Sequence, residues 1–168
     1  MTQPLRMPVS RSNMRPLNGH IFNKPGVQYT EDFYIYGINF GNLAFGSAAV
    51  QQSIVIQADS HFEWIQSTWF ALVNGIAAPF SDAIIAPLFI QISDGGSGRQ
   101  LQSAPIPLSS IAGLGREPYY LPVPRIFLSK SQITLNIINR DPAATYNNVQ
   151  INLHGRKIFE SGSGSFPM

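Results

Sequence analysis

The sequence predicts an all-β protein, an antiparallel β-sandwich whose strands connect in jelly-roll or Greek-key fashion. Short runs of alternating apolar and polar residues recur along the chain, which places residues i and i+2 on one face of a half-buried strand. The 168 residues include 14 glycines and 13 prolines, many of them between those runs, where they serve as turns. No long run carries a helical stripe bounded by start and stop signals.

Taken in order, residues 1–30 hold Pro4, Pro8, Pro16 and Pro25 and little periodicity. They read as an extended arm that becomes ordered only against a partner. A strand is expected at 33–40. The run 50–59 places Val50, Ile54, Ile56 and Ala58 on one parity and Gln51, Ser53, Gln57 and Asp59 on the other, although Gln52 and Val55 interrupt it. Further strands are expected at 62–72, 84–93, 99–103 and 119–128. In 133–138, Ile133, Leu135 and Ile137 interleave with Thr134 and Asn136. In 148–154, Val149, Ile151 and Leu153 alternate without exception with Asn148, Gln150, Asn152 and His154. The link 139–147 is rich in turn residues, so these two strands are expected to form a hairpin. A last short strand is expected at 156–159. Residues 161–168, with alternating glycine and serine, read as a flexible tail.

The organisation is therefore an arm (1–30), one sandwich domain (31–160) and a tail (161–168). Ile54, Ile56, Ile133, Leu135, Ile137, Val149, Ile151 and Leu153 should point inward, because a one-residue slip would expose the whole set.

Charge is sparse: eleven basic and nine acidic residues make up 12% of the chain, about half the usual share. Such a surface suits a protein partly covered by others, since interface cores are depleted of charge. The charges are also segregated. Residues 1–24 carry Arg6, Arg11, Arg15 and Lys24 and no acid, whereas 25–98 carry acids and no base. Four well-separated bases are too few for a phosphate footprint, so these residues are candidates for docking the arm on an acidic protein partner rather than on nucleic acid. Cysteine is absent, which removes disulfides, thiolate metal sites and cysteine nucleophiles. The first residues lack the apolar core of a secretory leader. The longest uncharged window, 64–81, is broken by Gln66, Ser67, Thr68, Asn74 and Pro79, so no segment is expected to span a membrane.

Candidate chemistry resolves into structural readings. Asp59, Ser60 and His61 are the residue types of a hydrolytic triad, but along a strand Ser60 points away from both neighbours, and a polar turn explains them. His20, His61 and His154 are scattered without acids at ligand spacing, so no metal site is expected. Gly37, Gly41 and Gly46 match neither a dinucleotide fingerprint nor a P-loop. The segment 94–98 looks superficially like a calcium loop but lacks further carboxylates, and a hairpin tip is expected. Tyr29, Tyr34, Tyr36, Trp69, Tyr119, Tyr120 and Tyr146 lie near turns, where aromatics serve as core packing, protein hot spots or sugar-stacking platforms. The chain is expected to be non-enzymatic and to need no cofactor.

Residues 34–159 resemble small β-sandwich proteins of tailed-phage virions, the class that includes cement or decoration proteins of the head and some collar and tail components. IVIQADSHFEW at 54–64, PRIFL at 124–128 with the strand that follows, and NLHGRKIF at 152–159 carry the likeness. The resemblance implies a capsid cement or decoration protein, made in the host cytoplasm and resident in the virion. It would bind the major capsid protein or other virion proteins and hold the shell against internal pressure. A collar, tail or fibre component with a glycan- or receptor-binding sandwich is the alternative. Exposed strand edges and sparse charge add an expectation of self-association as a dimer or trimer.

Overall fold

A computed structural model describes residues 27–77 and 86–161. The arm bases Arg6, Arg11, Arg15 and Lys24, together with 162–168 of the tail, lie outside the described residues. The elements run β1 (Gln28–Leu43), β2 (Val50–Val55), β3 (His61–Val73), β4 (Ile76–Ala77), β5 (Leu88–Asp94), β6 (Arg99–Gln100) and β7 (Ile106–Pro107). A 3-10 turn at Leu108–Ser110 precedes β8 (Tyr119–Phe127), β9 (Gln132–Asn139) and β10 (Tyr146–Ser161). No α-helix occurs among the described residues.

Two five-stranded sheets face each other. The first has the order β1-β10-β3-β4, with β8 also on β3; the second has the order β2-β9-β5-β6, with β7 also on β5. The antiparallel pairs are nested in sequence: β5 with β6, β3 with β8, β2 with β9, and β1 with β10. A chain doubled back on itself and then rolled so that alternate pairs fall in opposite sheets gives this order, which is the jelly-roll solution of a β-sandwich.

Alternation fixes the inward faces. Ile133, Leu135 and Ile137 of β9, Leu88, Ile90 and Ile92 of β5, and Val149, Ile151 and Leu153 of β10 are all buried, and Ile56 just beyond β2 is buried with them. Ile54 is half-buried and packs against the same core. Each fully buried side chain of this size contributes about 1.5–3 kcal/mol. Aromatics fill the end of the sandwich near His61. Phe62 meets Tyr36 edge-on at 4.8 Å between ring centroids, and Trp64 stacks on Phe127 at 6.3 Å.

The expected hairpin between 133–138 and 148–154 does not form. β9 and β10 lie in different sheets, and the link between them carries the chain across the core. Its turn residues serve the crossing. Asp141 accepts hydrogen bonds from the backbone N–H groups of Ala143 and Ala144, and these hold its carboxyl below the usual range. Asn139 donates to the carbonyls of Leu43 and Ala144, tying the crossing to the end of β1. Smaller differences follow from pairing. β2 ends at Val55 rather than 59, β6 stops at Gln100 rather than 103, and the candidates at 148–154 and 156–159 are one strand. Gly155 joins them at a register shift opposite β3. A Cβ there would lie 1.8 Å from the Glu63 carbonyl oxygen, so only glycine allows β3 to approach.

On the outer face of the first sheet, Arg156 of β10 bridges Glu63 of β3 and Glu31 of β1. Glu63 is only 3% exposed. Burial works against the Arg156 guanidinium, but its hydrogen bond and charge pairing with Glu63, then with Glu31, outweigh it and hold its pKa above the ordinary arginine value. Replacing Arg156 with Met is expected to cost about 3–5 kcal/mol in urea unfolding, because it strands a buried carboxylate, and the added change Glu63→Gln should recover part of the loss. Gly155→Ala should destabilise by at least about 1–3 kcal/mol through the forced separation of β3 and β10, read in the same assay.

Candidate functional site

β5 carries Leu88, Ile90, Ile92 and Asp94 on its inward face, so an apolar row ends in an acid. Asp94 is 5% exposed and belongs to the second sheet. Across from it, Arg125 of β8 lies opposite Trp64 in the register of the first sheet and shares its inward face. The Arg125 guanidinium reaches between the sheets to Asp94 Oδ2 at 3.0 Å and lies 5.7 Å from the centre of the Phe127 ring. Asp94 also accepts from the Ser97 hydroxyl at 2.7 Å and from the backbone N–H groups of Gly96 and Ser97. Burial alone would raise its pKa. The Ser97 hydroxyl, Arg125 and the two N–H groups reverse that effect and hold the carboxyl below the usual range.

This ion pair stands at the wall of a cleft of about 720 Å³, where β8 of one sheet and the β6–β7 segment of the other diverge. Leu101, Ile106, Ile111, Leu121 and Ile126 give it mainly apolar walls. Its volume is typical of ligand sites, which are apolar clefts with a few placed polar groups. Behind the lining, Arg125 Nε and Gln102 Nε2 are closed to solvent and have no hydrogen-bond partner among the described residues. The Gln102 carbonyl oxygen is already held by the Ile92 N–H at 2.8 Å, which fixes the amide with its NH2 group unpaired. Each buried donor left without an acceptor costs about 1–3 kcal/mol.

The residues singled out in the sequence do not converge here. Asp59, Ser60 and His61 line a separate polar recess of about 210 Å³. There Ser60 donates to Asp59 at 3.0 Å, and His61 Nδ1 accepts from the Ser129 N–H while its Nε2 faces Glu160 at 3.3 Å. The Ser60 hydroxyl is directed to Asp59, not into a nucleophile–base pair, and the polar turn is observed. His154 lies on the outer face, 2.9 Å from the Thr68 hydroxyl, and burial pushes its pKa down. His20 lies outside the described residues. The segment 94–98 is the expected hairpin tip. Among the aromatics, Tyr36, Trp69 and Tyr146 are buried in the core, whereas Tyr119 lines the cleft and Tyr120 is exposed. They form no single platform.

Sequence reading did not find Arg125, Gln102 or the cleft. One signal was present: Asp94 sits on the inward parity of an otherwise apolar run, which demands a buried cation or donor opposite it. Nothing local names that partner, because Arg125 comes from the other sheet.

Fold and geometry define a jelly-roll β-sandwich with an inter-sheet ion pair and an open cleft at one margin. No protein-family model matches the chain, and no curated protein matches it.

The lowered Asp94 pKa fixes a pH dependence. Its contribution is fully present above the unfolded-state value near about 4 and is lost as pH falls through the lower folded value. Asp94→Asn should therefore cost about 1.5–3 kcal/mol at neutral pH, as expected for a hydrogen bond to a charged group. The gap from the native protein should narrow progressively below about pH 4 in acid titrations of urea stability.

Proposed function

We propose that this chain is a non-enzymatic structural protein of a tailed-phage particle, a cement or decoration protein that self-associates and binds the assembled head. The observation that carries this reading is the outer edge of β1 from Thr30 onward, which pairs with no strand among the described residues. The strand is 16 residues long and pairs with β10 on one side. Between 30 and 39 it contains neither proline nor lysine, and its charges, Glu31 and Asp32, precede the exposed Phe33 and Ile35. Phe33 is 72% exposed and Ile35 stands exposed on the same face. A long edge with two exposed apolar side chains is a template for pairing with another chain. The sparse charge of the sequence supports the same reading, as does the resemblance to virion sandwich proteins.

The partners are then a second copy of this chain and the major capsid protein or another virion protein. The bases Arg6, Arg11, Arg15 and Lys24 are proposed as the arm's contacts to acidic groups of the shell. Counting copies per purified particle tests the assignment. A high, fixed ratio to the shell protein is expected, and a few copies at the tail would replace it with a collar, tail or fibre role. In sedimentation of the isolated protein, the native chain should run as a dimer or trimer, and Phe33→Lys with Ile35→Lys should run as a monomer. A monomeric native chain at high concentration would remove the β1 edge from the argument.

A further inference from the structure

We propose that two copies of this chain join about a two-fold axis beside Ile35, with β1 of one copy antiparallel to β1 of the other from Glu31 to Asn39. The inference rests on the reading of β1 as the self-association edge and fixes the register of that contact. Ile35 becomes its own partner, Phe33 lies opposite Gly37, and Glu31 lies opposite Asn39.

Few registers are open to such a pair. An axis perpendicular to the sheet keeps the outer faces of both copies on one side, so each residue must lie opposite one of its own parity. Phe33, Ile35, Gly37 and Asn39 stand opposite Arg156, His154, Asn152 and Gln150 of β10 and share the outer face with them. Beyond Asn39 the register shifts at Gly41, which ends the regular ladder. An axis at Glu31 or Asp32 sets like charges opposite each other. One at Phe33 presses the Glu31 carboxylate against Ile35. One at Tyr34 sets it against Gly37, which has no side-chain donor to offer, and one at Tyr36 carries it past the end of the ladder.

The Ile35 register gives every outer-face group a suitable neighbour. Asn39 Oδ1 accepts from the Gly41 N–H at 2.7 Å, which commits the oxygen and leaves the NH2 group without a partner among the described residues. Arg156 engages Glu31 Oε2, so Oε1 can take a further donor. Across the axis the two complete each other, with Asn39 Nδ2 donating to Glu31 Oε1 at both ends of the ladder. Gly37 presents bare backbone, because the Gln150 and Asn152 amides come within 3.2 and 3.3 Å of where a Cβ would stand. The Phe33 ring of the other copy, 72% exposed in the single chain, covers that backbone, and the two Ile35 side chains meet at the axis. On the inner side Tyr34 comes opposite Tyr36, while Asp32, opposite Ile38, keeps Lys157 as its register neighbour in β10.

The chain has no cysteine, so an introduced one reports a single position. Ile35→Cys, oxidised with diamide at a concentration where the native chain sediments as a dimer, should convert to a covalent dimer, because directly opposed residues lie within disulfide reach. Phe33→Cys, whose two copies stand well apart in this register, should not. Asn39→Asp keeps the acceptor for the Gly41 N–H but opposes two carboxylates at each end, and it should weaken the dimer at least about tenfold. Adding Glu31→Gln restores a donor and an acceptor with their sense reversed and should recover most of that loss. The rescue does not depend on disulfide geometry, so it decides the register even where the Ile35→Cys bond forms slowly. A native dimer in which Asn39→Asp has no effect, or in which Glu31→Gln fails to rescue it, overturns this register and leaves the β1 edge standing. A native trimer overturns the two-fold contact, and a native monomer overturns both it and the edge reading.

Discussion

The fold depends on β10. It is hydrogen-bonded on both sides, to β1 over its length and to β3 over much of it, so it is the spine of the first sheet. The row Ile133, Leu135 and Ile137 of the opposite sheet shares one core with its own inward row, Val149, Ile151 and Leu153. A slip of one residue in β10 would turn that row to solvent and misplace both neighbouring strands. Gly155 and Arg156 reinforce the register by different means. The glycine lets the β3 backbone come close, and the arginine pins the carboxylates of β1 and β3 from the outer face.

The ends of the inward rows are built on one plan. β5 finishes in Asp94 and β9 in Asn139, both buried and both on the parity of the apolar residues before them. Each reaches out of its own sheet: Asp94 to Arg125 of β8, and Asn139 to the end of β1 and the crossing link. Polar groups at these positions are tolerable because their partners are fixed, and they tie the two sheets together beyond the reach of apolar contact. At the Asn139 end the partners are backbone carbonyls and the join is closed. At the Asp94 end the partner is a long side chain that keeps an unused donor, and there the sheets stand apart.

Much of the sandwich was legible from alternation alone, because period-two burial is a local property. The perfect alternation at 148–154 and the broken one at 50–59 correspond to a buried-and-exposed strand at the centre of a sheet and a short strand at its margin. What alternation cannot carry is which strand pairs with which. Adjacent strands joined by a turn-rich link look like a hairpin in sequence, yet Asp141 and Asn139 use those turn residues to steer the chain into the other sheet. The same limit hid the cleft. Its polar groups come from β5, the loop after β6 and β8, separated in sequence and joined only by the nesting of strand pairs.

The two margins of the first sheet are unequal. β1 has no proline along its length, while β8 carries Pro122 and Pro124. A sheet with two receptive margins can add copies head to tail without limit and grow into a fibre. If copies join through β1, as proposed, the first addition uses that margin and, among the described residues, leaves outermost the side that carries β4 and the proline-bearing β8. Joining of that kind would be self-terminating and would favour a closed symmetric pair over a filament.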